Sequence, residues 1–153
     1  MFKFKLFRSQ KYMKLNKSII NDILEFSSQI LPEIQNWTLN IIFEDDEKIR
    51  ALNKEYRWID KSTDVLSFHY ADDFSNFSSK DTAWEVILSE KLITEHAEEF
   101  DNSFSQECYK MIIHSVLHIL WYDHEDDAEY VLMNWFESKI SELISDKYWI
   151  IIK

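Results

Sequence analysis

A chain of 153 residues that is 46% apolar and 29% charged can bury roughly two-thirds of its unfolded surface in one domain, which excludes intrinsic disorder. Cys108 is the only cysteine, which excludes a disulfide scaffold, and no apolar run reaches the ~18 residues of a membrane span. The net charge of -11 argues against a simple electrostatic nucleic-acid binder; the expectation is one soluble domain over residues 1–153, cytoplasmic and without a signal peptide.

The segment Phe2 to Phe7 alternates as FKFKLF and predicts a first strand with one polar face. Ile19, Ile20, Ile23, Leu24, Ser27, Ile30 and Leu31 then fall on one helical face, and Pro32 stops that helix. Thr38 to Phe43 predicts a second strand. Asp45 to Arg57 predicts a helix with Ile49, Leu52 and Tyr56 inward. Asp64 to Tyr70 and Trp84 to Ser89 read as two further strands, joined by a polar loop from Ala71 to Ala83. A short helix follows near Leu92 to Phe100.

From Ser103 to Leu120 the pattern is apolar on nearly every side, the mark of a central, buried helix. Ser103 and Gln106 have the spacing of a capping box at its start. A last helix opens at Asp126, with Met133, Phe136, Ile140, Leu143 and Ile144 as its buried face. The fold class expected is α+β: about four strands in a mixed sheet, packed with helices around the central buried one.

Residues 1 to 20 hold Lys3, Lys5, Arg8, Lys11, Lys14 and Lys17 and no acid, so the acidic charge lies beyond them. This basic start suits either contact with RNA or a lysine-protected edge strand. Glycine is absent altogether, although average usage of about 7% predicts roughly eleven.

Three of the five histidines occur within HSVLHILWYDH, as His114, His118 and His124. The first two are four residues apart on the buried helix and share a face. Imidazoles so placed converge on one Zn²⁺ at ~2.0–2.1 Å, and His124 returns as a third ligand after the turn at Trp121 to Asp123. Three protein nitrogens leave a fourth position open, the pattern of a catalytic zinc. Burying several imidazoles in an oily helix without a ligand costs free energy at each. Metzincin proteases share this spacing, but their general base follows the first histidine. That position is Ser115 here, so a peptidase lacks its central group.

At these residues the sequence resembles the YbeY family, bacterial endoribonucleases of ribosomal RNA maturation. The family motif H-G-x-L-H-L-x-G-Y-D-H is met at His114, Leu117, His118, Tyr122, Asp123 and His124. A second stretch, L-N-x-x-Y-R-G-x-D-x-P-T-D-V-L-S-F-P, is met by LNKEYRWIDKSTDVLSFH, and WEVILS loosely meets G-D-I-x-I-S. Trp58, Trp84 and Trp121 stand at family glycines, as does Ser115, while Ser62 and His69 stand at family prolines. Two accounts fit the tryptophans: a codon rendered as Trp but read as Gly, or true substitution into tight turns at ~1 kcal/mol or more each.

The resemblance implies one Zn²⁺ on His114, His118 and His124, cutting single-stranded RNA, with the small ribosomal subunit or its proteins as partner and no membrane or DNA partner. His114 is then both ligand and catalytic residue. Arg57 would stabilise charge building on the phosphate; the plain alternative is a solvated charge on a helix face. Arg50, Lys54 and Arg57 share one helix face and form a candidate RNA-binding stripe. Asp123 would orient a ligand imidazole or simply form the turn. His69 and His96 read as isolated structural residues. The rival functions are a zinc hydrolase acting on peptide and a non-catalytic ribosome-assembly factor stabilised by zinc.

Overall fold

The computed structural model describes residues 3–7, 15–30, 37–70, 78, 80–120, 122 and 126–152. In chain order they form β1 (Lys3–Phe7), α1 (Lys17–Ile30), β2 (Thr38–Glu44), α2 (Asp46–Arg57), β3 (Val65–His69), β4 (Thr82–Ser89), α3 (Glu90–Glu99), α4 (Phe104–Ile119) and α5 (Asp127–Tyr148). Leu31 and Pro32, the expected stop of the first helix, lie outside the described residues, as does most of the polar loop after β3.

The four strands make one mixed sheet in the order β1-β2-β4-β3. β1 and β2 run parallel, β2 and β4 run parallel, and β3 returns antiparallel along β4. β4 is therefore interior, and its residues sort by the two-residue period of a strand. Val86 and Leu88 face the main core with α4, while Ile87 faces a smaller cluster with Ile49 of α2 and Leu66 of β3. The sheet thus has α2 on one face and the α4-centred layer on the other, the α+β arrangement expected from the pattern of elements.

α4 is the central helix of that layer. Cys108, Met111, Ile112, Ile113, Val116, Leu117 and Ile119 are all buried. The capping box forms as the spacing predicted: Ser103 accepts from the Gln106 N–H, and the Gln106 side chain accepts from the Ser103 N–H. Gln106 also donates to the Ile151 carbonyl at 2.7 Å, which ties the tail after α5 to the start of α4.

Three local expectations differ from the structure. β4 begins two residues early, at Thr82, because Thr82 pairs with Thr38 of β2. Tyr56 is exposed rather than inward; it rides the rim of α2, edge-on to Phe68 with ring centroids 5.1 Å apart. Leu143 is exposed as well, because the buried stripe of α5 runs through Met133, Phe136, Ile140 and Ile144.

Candidate functional site

The histidine pair is placed by α4. Along its second half, residues 111–120, the side chains are buried except His114 and His118, which are half-buried on one face. Their Nε2 atoms lie 2.9 Å apart, and the rings meet edge to face with centroids at 4.4 Å. Two nitrogens each ~2.05 Å from a shared tetrahedral ion sit ~3.3 Å apart, so this separation is close to that of two ligands on one centre. His118 lies in the last turn of α4, where orphan carbonyls begin. The Tyr122 N–H closes back on the Leu117 carbonyl at 3.1 Å, turning the chain at the end of the helix.

The other nitrogen of His114 has a partner that the sequence did not announce. Its Nδ1 is 2.6 Å from Oε1 of Glu137 on α5. A carboxylate in that place accepts from an Nδ1–H, and a neutral ring in that tautomer keeps its Nε2 lone pair toward His118. The donor chemistry fits a divalent ion of the zinc type: facing imidazole nitrogens, one backed by a carboxylate. His124, the third expected ligand, lies outside the described residues together with Trp121 and Asp123. Among the described residues no group of three metal-binding side chains is assembled.

Both histidines open onto a cavity of about 580 Å³ whose wall includes Arg57, Thr63, Asp64, Ser67, His69 and Tyr122. Arg57 arrives there because α2 is fixed at both ends. Asp45 caps its start by accepting from the Lys48 N–H, and Trp58 caps its end in the left-handed conformation. The loop that follows is pinned by the buried Asn53, whose side chain donates to the Lys61 carbonyl at 2.7 Å. Ser62 donates to Asp46, holding that carboxyl below its ordinary range with help from Lys91. At the far end of the loop the Ser89 N–H donates to the Asp64 carbonyl at 2.8 Å. The second sequence stretch is thus a brace that holds Arg57 and Asp64 at the cavity.

Arg50 and Lys54 are engaged differently. Arg50 Nε and Lys54 Nζ both bind the Asp60 carboxylate at 2.8 Å, and their hydrogen bonds hold Asp60 below its ordinary pKa. Two cations sharing one anion leave a single net positive charge beside Arg57. His69, expected to be an isolated structural residue, instead lines the histidine cavity and lies against the Trp84 ring at 5.3 Å. His96, also expected to stand alone, is 3.7 Å from the Asp64 carboxylate.

The positions at family glycines separate. Trp58 has φ 62 and is 90% exposed, whereas Trp84 is buried against Trp37. Ser115 is fully buried inside α4, with its hydroxyl oxygen lacking a hydrogen-bond partner.

Comparison with known proteins decides the family. The family model described as Endoribonuclease YbeY matches residues 5–145. The chain belongs to the YbeY family. It is 40% identical over 104 residues to Endoribonuclease YbeY of Fusobacterium nucleatum, covering 67% of this chain and 64% of that relative, slightly under two-thirds of its length. To Endoribonuclease YbeY of Clostridium botulinum it is 32% identical over 151 residues, covering 86% of this chain and 91% of the relative. To that of Aquifex aeolicus it is 33% identical over 139 residues, covering 88% and 90%. The solution structure of TM1509 from Thermotoga maritima matches with a TM-score of 0.64 at 25% identity, covering 97% of this chain and 91% of that one. The YbeY fold is therefore present from β1 to α5. Among the described residues no helix is long and apolar enough to cross a membrane.

Proposed function

We propose that this chain is a zinc-dependent endoribonuclease that cuts single-stranded RNA, with the ion held by His114, His118 and His124. One observation carries the reading: the Nε2 atoms of His114 and His118 converge to 2.9 Å at the wall of a cavity that Arg57 also lines. Membership of the YbeY family supports RNA as the substrate class. When bound, the ion supplies Lewis acidity toward a phosphate oxygen.

The chain's own residues do the rest. Arg57 offers a planar fork of donors to a phosphodiester, and its charge gains value as negative charge builds there. The family motif assigns Asp123 to orient a ligand imidazole or to form the turn before His124. Ser115, buried within α4, is unavailable as a general base, which disfavours peptide hydrolysis. The finer reading is action in 16S rRNA 3′-end maturation and ribosome quality control, in the cytoplasm, on the small ribosomal subunit or its proteins. A chain of net charge -11 gains RNA affinity most readily by borrowing it from such a partner. The same acidity favours the second reading, a zinc-stabilised assembly factor without cleavage.

The test strips the full chain with a chelator, restores zinc, and presents single-stranded RNA, duplex RNA and peptide. Native mass spectrometry counts the metal. The expected result is one zinc per chain and cleavage of single-stranded RNA alone, lost on stripping and in His114→Ala. Zinc binding without RNA cleavage selects the assembly factor; RNA cleavage undiminished by stripping overturns the metal site.

A further inference from the structure

We infer that Glu137 is the positioning residue that sets the tautomer and aim of His114 for metal binding, an inference that rests on the zinc reading above. Glu137 stands on α5, 23 residues beyond His114, and reaches Nδ1 at 2.6 Å. Its place is set by the core: Phe136 and Ile140 beside it are buried, so the carboxylate is presented by a packed helix. Glu137 lines a cavity of about 780 Å³ that shares Asp64, Val65 and His114 with the histidine cavity but is not lined by His118 or Arg57. It therefore acts on the ring from behind and leaves the reacting face to Nε2.

The physical chain is short. A neutral imidazole carries one proton, and a nitrogen that bears it has no lone pair to give to a metal. Free to choose, the ring divides between its two tautomers and rotates about its χ2 bond. With an ionised carboxylate 2.6 Å from Nδ1, the proton is held on that atom and the ring is held in plane with the acceptor. Nε2 is then left as a pre-aimed donor, 2.9 Å from Nε2 of His118. Such carboxylate–histidine contacts raise ligand basicity, and losing one weakens metal affinity ~10–100-fold. At 28% and 30% side-chain exposure, the pair is sheltered enough for the bond to persist and open enough to form without a fully buried charge.

Two measurements on the full chain test this. Zinc affinity is read by competition with a chromophoric chelator for wild type, Glu137→Ala and Glu137→Gln. The expected outcome is ~10–100-fold weaker binding in Glu137→Ala and substantial rescue in Glu137→Gln, which keeps an acceptor oxygen. The tautomer of His114 is read by ¹⁵N NMR in metal-free protein. Wild type should carry the proton on Nδ1, and Glu137→Ala should shift it toward Nε2. Unchanged zinc affinity in a folded Glu137→Ala overturns the inference. So does a metal-free wild type with the His114 proton on Nε2, a result that needs no variant to fold. Failure of wild type to bind zinc overturns the metal reading instead, and the Nδ1 proton still reports whether Glu137 holds the ring.

Discussion

At the end of α2 the backbone N–H of Trp58 donates to the carbonyl of Asn53, with Trp58 held at φ 62. A left-handed residue after a helix is the position where glycine is favoured, because any β-carbon crowds the following carbonyl. The Trp58 ring does nothing to offset that strain, being 90% exposed. Trp149 repeats the pattern after α5, with φ 57 and 93% exposure.

Trp58→Gly should therefore stabilise the protein by about 1 kcal/mol, raising the melting temperature. Trp84→Gly should do the opposite, because that ring is packed against Trp37 and His69, and emptying it costs about 3–5 kcal/mol. Thermal unfolding of the two variants beside wild type checks both signs. The intact mass of the protein made in its own cell counts how many of its tryptophans are read as glycine, and the masses of its proteolytic peptides assign the residue at positions 58, 84 and 121.

A second prediction concerns acid. Asp22 of α1 accepts from Tyr148 and Lys147 of α5, at 2.5 and 2.6 Å. Burial alone would raise its pKa, but these two bonds and the Lys147 charge outweigh it and hold the carboxyl below its ordinary 3.8. A lowered folded-state pKa contributes stability above the unfolded pKa and loses it as pH falls through the folded one. Asp22→Asn should cost about 1–2 kcal/mol at neutral pH, with the gap to wild type closing as pH falls through the lowered pKa of the folded state. The Tyr148 phenol acts at the other end. Burial and its bond to Asp22 push it up to about 12, so its contribution holds below the unfolded value of 10.0 and is lost as pH rises through about 12. Urea titrations across pH measure both limbs.

What could be read from sequence, and what could not, follows from the range of the interactions. α4 was legible because its cap, its apolar run and the spacing of His114 and His118 are all local. The α2 brace was legible as a motif, though its purpose appears only when Asn53 is seen holding Lys61. Glu137 was not legible: one residue after Phe136 and three before Ile140, it reads as an ordinary solvated charge. Its meaning comes from the packing of α5 on α4, which no local pattern encodes. Likewise His69 looked isolated because the register that sets it opposite Trp84, His69 on β3 and Trp84 on β4, is fixed by a sheet and not by neighbours in sequence. Tyr56 and Leu143 were misplaced by helical periodicity, which gives a face to within a turn but not where the neighbouring layer ends.

Asp60 supplies a third prediction, about charge. It holds both Arg50 and Lys54, so the candidate stripe presents less positive charge to RNA than its sequence suggests. Asp60→Asn should release that charge, tightening RNA binding at low salt and steepening its decline as salt is added. Arg50→Ala with Lys54→Ala should weaken binding and flatten the same slope. Equal slopes in all three proteins would remove the stripe from RNA recognition.

The last prediction turns on Arg57, which shares the cavity with His114 and His118. Arg57 is exposed and ends α2, so truncation should spare the fold and the His114–His118 pair. Removing one donor aimed at developing charge typically costs about 10²–10³ in turnover. Arg57→Ala should lose activity on single-stranded RNA on that scale while keeping its zinc content and melting temperature. Arg57→Lys should recover only part, because a lysine restores the charge without the two-pronged geometry. Single-turnover cleavage separates this loss from weaker binding. A fall confined to affinity, with the chemical step intact, would make Arg57 a holder of RNA and assign the stabilisation of charge to another group.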